Sequence, residues 1–204
     1  MLKMKVLGCT GGIGSGKSYV ANFFSRMGIP VYDSDCRAKS LYDTDTLLRD
    51  QIVSLLGASV IKDGVIQRPV MASLIFKDKD LLWEVEKLVH PAVVRDFCRW
   101  KESFVEGTEG KGVPFVIMES AILLEKPLVK ECTDMVLNVS APLELRIGRV
   151  MARDGVGSDR VLERMAAQWD DEMRQKMSDF TIFADGKMAL LPQVRCVYEA
   201  MCRL

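Results

Sequence analysis

Residues 6–9 (Val-Leu-Gly-Cys) form a short apolar run between a lysine-bearing start and a glycine cluster. A run of that length predicts a buried strand rather than a helix. Residues 17–26 mix polar and apolar positions at helical spacing, and Gly28 supplies a stop signal. Residues 29–32 predict a second strand, ending at Asp33-Ser34-Asp35. Charges interspersed among Leu, Val and Trp predict helices over 47–56, 70–76 and 81–105. Between the first two, Asp63-Gly64 marks a turn. The stretch from Gly107 to Gly112 reads as a flexible surface connection. Two continuous apolar runs, 115–118 and 135–139, predict further buried parallel strands. Amphipathic stretches over 143–153 and 159–176 straddle Gly155 and Gly157. A last strand is expected at 181–183 and a closing helix over 191–204. Strands alternating with helices predict an α/β fold with a parallel sheet covered on both faces. Neither a repeat nor a long linker interrupts the pattern, so one domain is expected.

Composition narrows the function. Among 204 residues, Lys+Arg and Asp+Glu both number 28, leaving no global basic field for nucleic acid or an anionic membrane. Nothing approaches the length of a membrane-spanning apolar segment, and the short N-terminal run is no signal-peptide core. Six scattered cysteines without a C-x-x-C pair, and His90 as the only histidine, give no zinc spacing. Unpaired cysteines fit a reducing cytoplasm.

The strongest chemical signal follows the first strand. Gly11-Gly12-Ile13-Gly14-Ser15-Gly16-Lys17-Ser18 fits G-x-x-x-x-G-K-[ST] at every fixed position, between a strand and a helix start. Glycines let the backbone curl so that its N–H groups converge on phosphate oxygens, and the helix N-terminus adds partial positive charge. Lys17 is expected on the β- and γ-phosphates and Ser18 on Mg²⁺. A mere turn would not require glycine at 11, 12, 14 and 16. The motif identifies a nucleoside triphosphate site and leaves the acceptor open.

Several features bear on that acceptor. No Asn-Lys-x-Asp stretch exists for guanine recognition. Asp33 and Asp35 follow the second strand, at the sheet end where ligands collect. If extended, both would share a face, one accepting a hydroxyl proton and the other serving Mg²⁺ or orientation. The same Asp-Ser-Asp could instead cap a helix beginning at Cys36. Arg146, Arg149, Arg153, Arg160 and Arg164 surround Gly155-Val156-Gly157 and suit a lid that closes over developing charge, or else a solvated helix pair. His90, before Pro91 at an expected helix start, is either a capping or packing residue or a substrate contact. Trp83, Trp100 and Trp169 read as packing residues.

Over nearly its whole length the chain resembles the dephospho-coenzyme A kinase family. The resemblance rests on Thr10 with the phosphate loop, Ile29-Pro30-Val31-Tyr32-Asp33-Ser34-Asp35, Asp63-Gly64-Val65-Ile66-Gln67-Arg68 with Phe76, and His90-Pro91. Glu119 with Ser120-Ala121-Ile122-Leu123-Leu124-Glu125, and Arg146 to Gly155, extend it. It implies ATP-dependent phosphorylation of the ribose 3′-hydroxyl of dephospho-coenzyme A, the last step of coenzyme A biosynthesis, with Mg²⁺ and no nucleic acid, membrane or obligate protein partner. Asp35 is then the general base, acting with Lys17 and Arg149. ATP falls to Gly12, Ile13, Gly14, Ser15, Gly16, Lys17, Ser18 and Tyr19. Substrate contacts fall to Thr10, Asp33, Arg68, His90 and Arg153, and Mg²⁺ to Ser18 and Glu119. Arg153, Arg164 and Gln168 match the family's lid and helix pattern. The implied fold is a P-loop kinase core with a five-stranded parallel sheet (about 1–35, 113–142 and 178–204), a helical substrate-binding part (about 36–112) and a lid (about 143–177).

The chain departs from the family at Tyr19 for the usual Thr, Arg146 for Gln, Ala121 for Pro and Ala184 for an Asn. None of these touches Lys17, Ser18, Asp35 or Arg149. A kinase of another small metabolite, or a silent nucleotide-binding regulator, would share the loop. The first would lack the joint match at Asp33–Asp35, Asp63 to Arg68 and His90-Pro91, and the second would have lost Lys17 or the base.

Overall fold

The apolar run near the start becomes strand β1 (Lys5–Thr10), with every residue after Lys5 buried. In the computed structural model, which describes residues 4–106 and 112–204, the chain continues through α1 (Lys17–Arg26), β2 (Val31–Asp33), α2 (Ser34–Thr44) and α3 (Thr46–Leu56). A 3₁₀ turn at Ala58–Val60 enters a hairpin of β3 (Ile61–Lys62) and β4 (Val65–Ile66). Asp63 and Gly64 close it with φ of 51° and 76°, the left-handed pair that a two-residue hairpin turn requires. Then come α4 (Arg68–Ile75), α5 (Lys79–Glu106), β5 (Phe115–Glu119), α6 (Pro127–Lys130), β6 (Met135–Ser140), α7 (Leu143–Asp154), α8 (Ser158–Ala166), α9 (Asp171–Lys176), β7 (Phe180–Phe183) and α10 (Leu190–Cys202).

The main sheet is five-stranded, in the order β2-β5-β1-β6-β7. Every pair in it is parallel, as the alternation of strands and helices implies. Its registers align Cys9 and Asp33 with Glu119, and Thr10 with Asn138. The carboxyl ends of β1, β2 and β5 therefore lie level with one another at the start of the phosphate loop, with β6 running two residues further. One face is covered by α1 and α10, through a core that includes Leu7, Cys9, Val20, Phe24, Ile117, Leu137, Val139, Ile182, Val194 and Met201. Each large side chain buried there contributes about 1.5–3 kcal/mol.

Two compact units divide the chain, Met1–Asp33 with Trp100–Leu204, and Ser34–Arg99. The first holds the main sheet. The second is built of α2, α3, the hairpin, α4 and most of α5, with Leu41, Leu48, Ile52, Val60, Met71, Val85 and Phe97 buried. Within it, Arg37 grips Asp96 in two parallel bonds of 2.8 Å, tying α2 to α5.

Several expectations change. The second strand begins at Val31 rather than Ile29, because the Ile29 N–H is spent on Phe24 O at the end of α1 and Pro30 has none to offer. Asp33 ends β2 while Asp35 sits in the first turn of α2, so the extended alternation that would give them one face does not hold. His90 and Pro91 lie inside α5, not at a helix start. Val85, Val89, Ala92, Val93 and Phe97 are all buried, so one apolar stripe runs on through the proline at helical spacing. The expected single stretch over 159–176 is two helices, because Asp170 caps α9 by accepting the Met173 N–H at 2.7 Å. Residues 107–111 of the expected flexible connection lie outside the described residues.

Candidate active site

The phosphate loop leaves β1 at Thr10 and returns as α1, whose first N–H bond runs from Val20 to Gly16 O at 3.0 Å. A turn from Ser15 N to Gly12 O, 3.0 Å, curls the backbone between them. Gly14 has φ of 79°, and a side chain there would also strike the Arg146 carbonyl. At Gly12, any Cβ would run into the Arg146 guanidinium. Gly14 is therefore required both by the curl and by α7, which presses on the loop, whereas a side chain at Gly12 would have to displace the end of Arg146.

Lys17 and Ser18, the first residues of α1, meet Glu119 at the end of β5. Ser18 Oγ donates to Glu119 Oε1 at 2.6 Å, and Lys17 Nζ lies 3.6 Å from the same oxygen. Glu119 is only 6% exposed, so its charge is balanced at close range. Beneath them Cys9 is fully buried, and burial together with the Glu119 carboxylate pushes its thiol far above the ordinary range, with Lys17 opposing.

A cavity of about 180 Å³ opens over this loop, lined by Gly12, Gly14, Ser15, Gly16, Lys17, Ser18 and Tyr19 with Arg149, Val150 and Arg153 of α7. It is smaller than the roughly 300–1,000 Å³ of sites that enclose a whole ligand, a size suited to phosphate groups. Arg149 is already seated on the loop: Nη1 donates to Ser15 O at 3.1 Å and Gly14 O at 3.3 Å, and Nη2 to Ala184 O at 2.9 Å. Arg153 donates twice to Asp154, at 2.7 and 3.1 Å, and Arg164 joins the same carboxylate at 2.7 Å. These two guanidinium groups hold the Asp154 carboxyl well below the usual carboxylate range.

Ile13, the remaining loop residue, is bound by Arg146 and Gln168 instead of lining the cavity. Thr10 is fully buried at the end of β1, its hydroxyl without a hydrogen bond among the described residues. Asp33 is exposed at the end of β2. Asp35, Arg68 and His90 belong to the Ser34–Arg99 unit. There Asp35 is exposed, His90 is half-buried within α5, and Arg68 pairs with Asp43 at 3.1 Å.

Sequence reasoning missed a buried polar layer on α9. Arg174, with no exposed surface, donates to Glu125 Oε1 at 2.6 Å and to the Trp169 carbonyl. Ser140 donates to Asp171. A charged, helical stretch reads as solvated, and nothing local in the sequence marks Arg174 as buried.

Comparison with known proteins agrees with this geometry. The dephospho-CoA kinase family model matches residues 5–189. Dephospho-CoA kinase of Porphyromonas gingivalis is 37% identical over 199 residues, covering 97% of this chain and 95% of its own. A crystal structure from Thermus thermophilus superposes with a TM-score of 0.78 at 30% identity, over 99% of this chain and 98% of that one. Dephospho-CoA kinase from Campylobacter jejuni shares the fold at TM-score 0.70 and 20% identity, over 98% of each chain. With the family model spanning most of its length, the chain belongs to the dephospho-CoA kinase family, the kinases that complete coenzyme A biosynthesis.

Proposed function

We propose that this chain transfers the γ-phosphate of ATP to the ribose 3′-hydroxyl of dephospho-CoA, with the phosphate loop at the carboxyl end of its main sheet as the nucleotide site. The observation that carries this reading is Glu119 holding both Lys17 and Ser18 at the mouth of the glycine loop. Gly12 and Gly14 to Tyr19 bind the triphosphate, with Ile13 held behind them by Arg146 and Gln168. Lys17 neutralises its β- and γ-oxygens, and Arg149, seated on the loop carbonyls, supplies a second cation to the transferred group. Thr10, Asp33, Arg68, His90 and Arg153 serve the acceptor. The core comprises about 1–35, 113–142 and 178–204, with a substrate-binding part over about 36–112 and a lid over about 143–177. A cytoplasmic setting belongs to the same reading and accords with six cysteines outside any disulfide.

Magnesium fits the donors present. Ser18 Oγ and Glu119 Oε1 are hard oxygen atoms 2.6 Å apart beside the loop. Among the described residues no group of three or more His, Cys, Asp or Glu could hold a metal alone. Mg²⁺ suits such a sparse site, since it keeps water and phosphate oxygens as its other ligands. When bound, it supplies charge neutralisation on the phosphates.

A ribose hydroxyl is a poor nucleophile at neutral pH, so a carboxylate must take its proton as the bond to phosphorus forms. Asp35 is assigned that role and Asp33 a supporting one. Single-turnover rates and ATP titrations of Asp35→Asn and Asp33→Asn test the ranking. Asp35→Asn should lower the rate by roughly 10²–10⁴ with ATP binding kept. A larger loss in Asp33→Asn would reverse the assignment. ADP release measured across dephospho-CoA, shikimate, gluconate, AMP and CMP tests the acceptor, and a faster rate with any of the others would refute it.

A further inference from the structure

Ile13 stands at the tip of the phosphate loop, and both of its backbone polar groups are taken by side chains from far along the chain. Its N–H donates to Gln168 Oε1 at 2.9 Å, and its carbonyl accepts from Arg146 Nε at 3.0 Å. Gln168 lies in the connection between α8 and α9, whereas Arg146 is in α7. Arg146 is only 8% exposed, on a helix whose neighbouring positions are mostly open to solvent. Burial lowers its pKa, and the Asp171 carboxylate opposes that shift.

A glycine-rich loop has unusual freedom to lose, so something must hold it in the curl that gathers its amides. Within the loop, the Ser15 to Gly12 turn holds only one side. The Ile13 N–H is directed to Gln168 rather than to the phosphate cavity, which neither residue lines. We infer that Gln168 is a positioning residue for the nucleotide, an external brace that, with Arg146 opposite, fixes the Ile13 peptide groups and so presets the phosphate loop. It touches neither reacting atom. It acts through Ile13, and it makes the loop's shape depend on the α8–α9 connection.

Gln168→Met tests this, because methionine fills nearly the same volume without the carboxamide acceptor. One hydrogen bond of ordinary net strength corresponds to a change of about three- to tenfold. The variant should raise the dissociation constants of ATP and ADP, and KM for ATP, by that factor. KM for dephospho-CoA should stay within about twofold. Amide exchange at Ile13 in the nucleotide-free protein should quicken by a comparable factor. Gln168→Glu keeps an acceptor oxygen at the same reach and should leave Ile13 protected. Should Gln168→Met lower only the melting temperature, with nucleotide constants and Ile13 exchange unchanged, the contact is structural and the inference fails. If that variant does not fold, Ile13 in the unaltered protein decides: unprotected exchange there overturns the brace. The inference rests on the loop being the nucleotide site. Failure of the unaltered protein to bind ATP would sink that reading instead, so the two failures can be told apart.

Discussion

Lys17 has its ammonium 3.6 Å from a carboxylate oxygen that also accepts from Ser18, and its side chain is 17% exposed. It takes no part in the apolar core, so its loss should fall on chemistry and not on folding. Lys17→Ala is expected to reduce turnover far more than tenfold, a barrier change well above about 1.4 kcal/mol. Its circular dichroism should match the parent, with any fall in melting temperature reflecting the Glu119 carboxylate left without its ammonium, and residual turnover within about tenfold would remove the lysine from the transition state. Lys17 and Ser18 were legible because the loop motif is a fixed local spacing with one physical purpose. Glu119 was legible only through family resemblance. Gln168 and Ile13 stand 155 positions apart, and no spacing rule spans that distance. The helix start expected at His90-Pro91 failed for a local reason: proline often opens a helix, and here one helix tolerates it within an unbroken apolar stripe.

Among the elements, the late helices differ most from what the sequence promised. Strands such as β5 and β6 announced themselves as continuous apolar runs, because a sheet covered on both faces leaves no polar alternation. By contrast α9 looks like a solvated helix, yet it buries Arg174 against Glu125. Removing one partner strands a buried charge. Glu125→Ala is therefore expected to cost about 3–5 kcal/mol in denaturant unfolding, whereas Glu125→Leu with Arg174→Met should recover most of it. Equal losses in the single and double variants would show that the pair itself stabilises the helix. At the junction of α7 and α8, Asp154 behaves differently. Its pKa is depressed in the folded state, so its contribution is complete above the ordinary aspartate value of about 3.9 and fades only as pH falls toward the lower folded value. The melting-temperature gap between the parent and Asp154→Asn should be constant above about pH 5 and shrink below about pH 4. A gap that widened in acid would contradict the depressed carboxyl.

For the whole molecule, the parallel α/β architecture followed from alternation alone, but the grouping of residues into Met1–Asp33 with Trp100–Leu204 and a separate Ser34–Arg99 unit did not. That division cuts between Asp33 and Ser34 and falls inside the long α5, where composition does not change. The six cysteines sample both units. Cys36, Cys196 and Cys202 are exposed, Cys98 and Cys132 are intermediate, and Cys9 is sealed beneath Lys17 and Glu119 with its thiol held protonated. Only a thiolate reacts readily with an alkylating reagent. The floor of the phosphate loop thus carries its own silent chemical reporter, which can speak only when that floor opens. In a timed alkylation followed by mass spectrometry, Cys36, Cys196 and Cys202 should be modified first and Cys9 last. ATP should slow Cys9 further while leaving Cys196 unchanged, and early labelling of Cys9 would mean that the strand beneath the loop breathes far more than its packing implies.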